Sequence, residues 1–112
     1  MQSLSRLLAL STIFLIPASL AVAEDHPSFA ITYTDAGFAP KALELPADTR
    51  IELEIDNKSD KAIEFESHDM KAEKIIKAGK KHSVMVGPLK AGAYTFFNEF
   101  NEDADKGSVT VK

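Results

Sequence analysis

Residues 50–56 alternate strictly. Ile51, Leu53 and Ile55 fall on one side of the chain, and Arg50, Glu52, Glu54 and Asp56 on the other. Successive side chains of an extended chain point to opposite faces, so this period of two describes a strand with one dry face and one wet face. A half-buried strand cannot stand alone; its apolar face commits its neighbours to forming sheets that cover it. The same rhythm recurs. Ser28–Thr34 places Phe29, Ile31 and Tyr33 together, residues 61–67 place Ile63 and Phe65 inward, and Lys81–Val86 places Val84 and Val86 on one side. Residues 38–45, 93–97 and 108–111 complete a set of about seven strands.

The segments between them carry turn chemistry: Asp35-Ala36-Gly37, Pro46-Ala47-Asp48, residues 57–60, Gly87-Pro88 and Ala91-Gly92. Pro40 lacks a backbone donor and marks an edge position within 38–45. Residues 68–80 (HDMKAEKIIKAGK) have a composition that predicts one or two helical turns closed by Gly79, with Ile75 and Ile76 pinning them to the core. Short strands at regular spacing with at most one short helix predict an all-β sandwich or small barrel.

Residues 1–23 are read apart from this domain. Arg6 is the first charge, an apolar run from Leu7 to Leu20 follows, and Ala21-Val22-Ala23 supplies small residues for cleavage. That is the three-part pattern of a secretory signal peptide, cleaved after Ala23. The run is short of the ~20 residues a spanning helix needs, and Pro17 and Ser19 interrupt it. The expected domain is 24–112. Without Arg6 it carries 12 basic against 17 acidic side chains, a net charge of −5. An acidic surface is the wrong sign for nucleic acid or for polybasic membrane association.

The 112 residues contain no cysteine. Thiolate zinc sites, iron–sulfur clusters, cysteine nucleophiles and disulfides are excluded together. The sequence also lacks G-x-S-x-G, a phosphate-binding glycine loop and H-E-x-x-H.

Ligand-type side chains gather in two places. In Glu64-Phe65-Glu66-Ser67-His68-Asp69-Met70, an extended chain puts Glu64, Glu66, His68 and Met70 on the face opposite Phe65, with Glu73 three residues on. The second place is the acidic loop 99–105, which holds Glu99, Asn101, Glu102, Asp103 and Asp105. Carboxylates with an imidazole and a thioether suit a site of mixed hardness: oxygen ligands favour ferric iron or manganese, imidazole copper, iron or zinc, and thioether Cu(I). Calcium fits less well, because 99–105 lacks the internal glycine and regular oxygen spacing of an EF-hand. Each residue also has a plain structural reading. Glu64 reads as a solvated strand residue, Met70 and Met85 as packing, His82 and His26 as surface, and 99–105 as a solvated loop.

Gly37-Phe38-Ala39-Pro40, then Leu43-Glu44-Leu45-Pro46-Ala47, then Ile51-Glu52-Leu53 and Asn57 resemble the opening of cupredoxin-like domains, with Asp48 where glycine is usual. Glu64-Phe65-Glu66-Ser67, Glu73-Lys74, Gly87-Pro88-Leu89-Lys90, Gly92-x-Tyr94-x-Phe96-Phe97 and Glu99-Phe100 are similar to the small periplasmic cupredoxin-like proteins associated with bacterial ferrous-iron uptake permeases. The resemblance spans roughly residues 30–112. It implies a Greek-key sandwich in the periplasm, binding copper or iron and assisting Fe(II) oxidation during import. Its partners would be an inner-membrane iron permease and a companion periplasmic iron-binding protein. The matching ligand positions are Glu66, Glu73 and Glu99. Where that subgroup usually has F-H-P-E, this chain has Phe100-Asn101-Glu102-Asp103, and His68 is the candidate to supply the missing imidazole.

A blue-copper centre needs a Cys thiolate, two histidines and a weak axial ligand. This chain can therefore hold only a non-blue site of nitrogen and oxygen, with Met70 as an added thioether. The leading expectation is a metal-binding protein of iron acquisition with at most accessory Fe(II)-oxidase activity. The alternatives are a metal-independent module docking on a membrane partner through its acidic loop, and a copper-sequestering protein.

Overall fold

A computed structural model describes residues 26–112; the signal-peptide reading and its cleavage point lie outside them. Among the described residues, nine strands build two facing sheets. They are β1 (Ser28–Thr34), β2 (Gly37–Ala39), β3 (Ala42–Leu45), β4 (Ile51–Asn57), β5 (Ile63–Ser67), β6 (Ala72–Ile76), β7 (Lys81–Val86), β8 (Gly92–Asn98) and β9 (Lys106–Val111). One sheet has the order β2-β1-β4-β7, the other β3-β9-β8-β5-β6. The chain passes between sheets after β2, β3, β4, β6 and β7, which is Greek-key wiring rather than a meander.

The alternation read at β4 is realised in full, with Ile51, Leu53, Ile55 and Asn57 buried and the acids between them half-exposed. The inner faces meet on an aromatic group. Phe38 lies edge-on to Phe65 at 6.2 Å and to Phe96 at 5.1 Å, and Phe65 and Phe96 are 5.3 Å apart. Truncating a fully buried Phe of this kind costs about 3–5 kcal/mol. Gly107, the cross-strand partner of Phe96, makes room for its ring: a Cβ there would lie 2.1 Å from Phe96 Cζ.

Two sequence expectations are corrected. Residues 38–45 are not one strand. Phe38 belongs to β2 at the edge of one sheet and Leu43 to β3 at the edge of the other, with Pro40 in the switch between them. Residues 68–80 hold no helical turns; their centre is β6, an edge strand paired with β5. Its alanine, glutamate and lysine favour helix locally, but Ala72 and Ile76 bury against the core in extended register. The single helical segment among the described residues is a 3-10 turn, Glu99–Asn101.

Asn57, fully buried, ties one end of the sandwich together. Its Nδ2 donates to the carbonyls of Lys61 at 2.7 Å and Ile76 at 3.0 Å, and its Oδ1 accepts from Ser59 N at 3.0 Å and Ser59 Oγ at 2.7 Å. Asp48, where the resembling domains have glycine, has φ 57, the left-handed conformation glycine adopts most easily.

Candidate metal centre

Strand β5 sends Phe65 into the core and Glu64 and Glu66 to the outer face of the five-stranded sheet. On one side lies β6, with Ile75 opposite Glu64 and Glu73 opposite Glu66. On the other lies β8, with Phe97 opposite Glu66. Directly after β8 the chain turns into the 3-10 segment that begins with Glu99. Asn98, 3% exposed, fixes this join, because its Oδ1 accepts from Phe100 N at 3.1 Å and from Glu64 N at 3.0 Å. The end of β8 is thereby fastened to the start of β5, and Glu99 is delivered beside Glu64.

One carboxylate oxygen from each of Glu64, Glu66 and Glu99 lies within 4.8 Å of the other two. That span is close to the diameter of a coordination shell, twice the ~2.0–2.2 Å of a metal–carboxylate bond. His68 Nδ1 lies 3.5 Å from Glu66 Oε1, and its ring rests against Phe97 with centroids 5.4 Å apart. Glu73 and His68 share a shallow depression with Glu66 and Lys71.

The electrostatics follow from putting like charges together. A proton shared with Glu99, then burial, then the negative charge of Glu99 push Glu66 up to about 7, while His68 pulls it back. Burial, followed by Glu99 and Glu73, also raises Glu64. Glu66 is 8% exposed, and its Oε2 is buried facing no donor group of the fold; within the fold only a proton held against Glu99 can satisfy that carboxylate. A buried acceptor without a donor is costly, and a cation between these carboxylates would relieve both that deficit and the repulsion.

Of the residues read from sequence, the structure brings Glu66 and Glu99 together, with His68 and Glu73 beside them. It adds Glu64, which alternation alone describes as a solvated strand residue; the missing signal is Glu99, which follows directly after the neighbouring strand β8. It does not bring Met70. Strand β5 ends at Ser67, and the following turn, with Lys71 at φ 54, carries Met70 into the core at 5% exposure. Asn101 is engaged elsewhere. Its Nδ2 donates to Asp105 Oδ2 at 3.2 Å, in a buried network that also contains Tyr33 and Asn98. The Asp105 carboxylate accepts from Tyr33 OH at 2.5 Å and from Asn98 Nδ2 at 3.3 Å. Burial and Asp105 together raise the Tyr33 hydroxyl above its ordinary value.

The family model of the cupredoxin-like domain matches residues 6–111, nearly the whole chain. The chain belongs to the cupredoxin-like domain family. The chain is 40% identical over 81 residues to an uncharacterized protein of Rickettsia prowazekii (strain Madrid E); the match covers 72% of this chain and 65%, just under two thirds, of that protein. Among solved structures it is similar to auracyanin A, a "blue" copper protein of Chloroflexus aurantiacus, with a TM-score of 0.70 and 11% identity over 79% of this chain and all of that one. It is also similar to the Cu(I)-bound metal-binding domain of the Cu(I)-exporting P-type ATPase of Streptococcus pneumoniae D39, with a TM-score of 0.65 and 18% identity over 76% of this chain and 84% of that one. At these identities the likeness is one of fold. The residues present do not fit a thiolate copper centre, since no cysteine exists to ligate it. They do fit a cation held by oxygen and nitrogen.

Proposed function

We propose that this cupredoxin-like protein binds iron, copper or both in a non-blue site, as an exported periplasmic protein assisting ferrous-iron uptake. Glu64, Glu66 and Glu99 would hold the ion, with His68 as the nitrogen ligand and Glu73 within reach. The observation that carries this reading is the buried, unpartnered Oε2 of Glu66 inside a group of three carboxylates. Structural carboxylates are normally placed opposite donors; these are placed opposite one another.

Three carboxylates attract a trivalent ion more strongly than a divalent one. Bound iron would be biased toward the ferric state, giving up one electron to an external acceptor such as dioxygen. That is the accessory oxidase step in this reading, followed by handover to an inner-membrane permease and a companion iron-binding protein. With copper alone, the same site would serve sequestration.

Equilibrium titration of the protein with Cu(II), Fe(II) and Fe(III), repeated for Glu66→Ala and Glu99→Ala, tests the reading. It predicts one tight site that both substitutions weaken; affinities unmoved by either remove the site. A second reading, a metal-independent docking module, is favoured by two exposed large hydrophobic side chains among the described residues. Ile75 (54% exposed) lies opposite Glu64, and Phe100 (57%) follows Glu99. That reading predicts no tight metal binding.

A further inference from the structure

His68 is an exposed side chain on a turn, a poor start for a ligand, because an unrestrained imidazole loses rotamer freedom on binding. The turn itself is restrained from both sides by a single residue of β8. Before His68, Ser67 Oγ donates to the Thr95 carbonyl at 2.7 Å and accepts from Met70 N at 3.0 Å. After it, Asp69 Oδ2 accepts from Thr95 N and from Thr95 Oγ1, each at 3.0 Å. Thr95 lies two residues before Phe97 and on the same outer face of β8. Phe97 is the residue on which the imidazole rests, and it pairs with Glu66. The flanks of His68 are thus fastened to the same strand that supplies the platform for its ring.

We infer that Asp69 is a positioning residue for the metal centre: by gripping Thr95 it holds His68 over Phe97 with its ring beside Glu66. The inference rests on the metal-binding reading above. The grip is specific in chemistry. Two donors, an amide and a hydroxyl, converge on one carboxylate oxygen, and charge-assisted bonds of this kind are the stronger ones. Asparagine can present a carbonyl oxygen at the same place, whereas alanine leaves Thr95 N without a partner. Residues that orient metal ligands typically change affinity by about 10–100-fold when removed. Asp69 acts on one ligand of several and through the backbone, so the expected loss lies near the lower end, about tenfold.

The test is a double-mutant cycle read in two ways: Cu(II) affinity by chelator competition, and nitrogen coupling in the electron paramagnetic resonance spectrum of the Cu(II)-loaded protein. The variants are Asp69→Ala, Asp69→Asn, His68→Ala and the double variant Asp69→Ala with His68→Ala. Asp69→Ala should lose about tenfold in affinity together with most of the nitrogen coupling. Asp69→Asn should retain both, and the double variant should bind no more weakly than His68→Ala alone. Unaltered affinity and coupling in Asp69→Ala would overturn the inference, as would a double variant in which the two losses multiply. If Asp69→Ala does not fold, Thr95→Val takes its place. It removes one of the two donors and should lower affinity in the same direction by a smaller factor; no change there counts against the inference. The outcomes separate this inference from the reading beneath it. Loss of binding in Glu66→Ala with no effect in His68→Ala keeps the carboxylate site and rejects the role of His68, and with it that of Asp69.

Discussion

Strands β4 and β5 carry much the same motif on their outer faces, and the structure treats them in opposite ways. On β4, Glu52, Glu54 and Asp56 alternate with buried isoleucine and leucine, and each meets a complementary group. Glu52 accepts from Ser83 Oγ at 2.5 Å, Glu54 pairs with Lys81 at 3.3 Å, and Asp56 lies 4.0 Å from Lys58. On β5, Glu64 and Glu66 alternate with Ile63 and Phe65, and the carboxylates of Glu73 and Glu99 crowd them; His68 faces one oxygen of Glu66 at 3.5 Å, while the other is buried without a partner. The first face is an ordinary wetted sheet surface in which opposite charges offset one another. The second carries an electrostatic debt that folding alone leaves standing. Two strands with similar one-dimensional patterns differ in their electrostatics because of what sits across the sheet from each.

That contrast can be broken most directly by substitution. Glu66→Ala should weaken metal binding by roughly 100-fold or more, at or above the top of the range for residues that only support ligands. Glu54→Ala on β4 should leave affinity unchanged. Equal effects of the two, measured by the same competition titration, would erase the distinction between the faces.

The next largest effect is on pH dependence. Glu66 is held up to about 7 by Glu99 and by burial, so a cation must displace its proton below that pH. Affinity should therefore fall by roughly tenfold for each pH unit below about 7. It should level off above that value, and proton release on binding should be detectable in weakly buffered solution. A flat profile between pH 5 and 8 would mean that Glu66 is not a ligand.

A third, smaller effect concerns the metal-free protein. In the folded state Glu66 titrates near 7 against an unfolded value of 4.5. Between these values the folded protein keeps a proton that the unfolded chain has released. The resulting stability is full below about pH 4.5 and is lost as pH rises through about 7. Glu66→Gln should accordingly raise the melting temperature at pH 8 and flatten its dependence on pH across this window. Glu54→Gln should do the reverse in sign, with a small decrease at pH 8 from losing the exposed pair to Lys81. Melting temperatures that shift in the same direction for both variants would contradict the comparison.

The smallest effect lies in the turn that feeds β4. Asp48→Gly should stabilise the fold by up to ~1 kcal/mol, because glycine takes the left-handed φ of 57 without strain, offset in part by its freer unfolded chain. Chemical denaturation would read this, with destabilisation as the contrary result.

These differences also mark how far the sequence could be read. The strand period at 51–55 was unmistakable because three branched or long aliphatic side chains alternate with charges. The sandwich followed from repetition of that period, and the cupredoxin resemblance from motifs spread over the domain. Strand β6 is hidden in the sequence because its alanine, glutamate and lysine prefer helix, and an edge strand is held by its partner more than by its own propensity. The break at Pro40 was visible as an edge signal, but the change of sheet that it accompanies was not. The place of Glu64 in the carboxylate cluster is not legible locally, because it depends on Glu99, 35 positions along the chain and delivered by the Asn98 clamp. Met70 follows the alternation only if the strand continues past Ser67; the turn that begins there sends it into the core instead.

The most direct measurement is the structure of the protein crystallised with Cu(II) or Fe(III), with the ion located by its anomalous scattering. The account predicts a single ion coordinated by carboxylate oxygens of Glu64, Glu66 and Glu99, with His68 as the nitrogen ligand. An ion bound elsewhere, or none at this cluster under saturating metal, would contradict it.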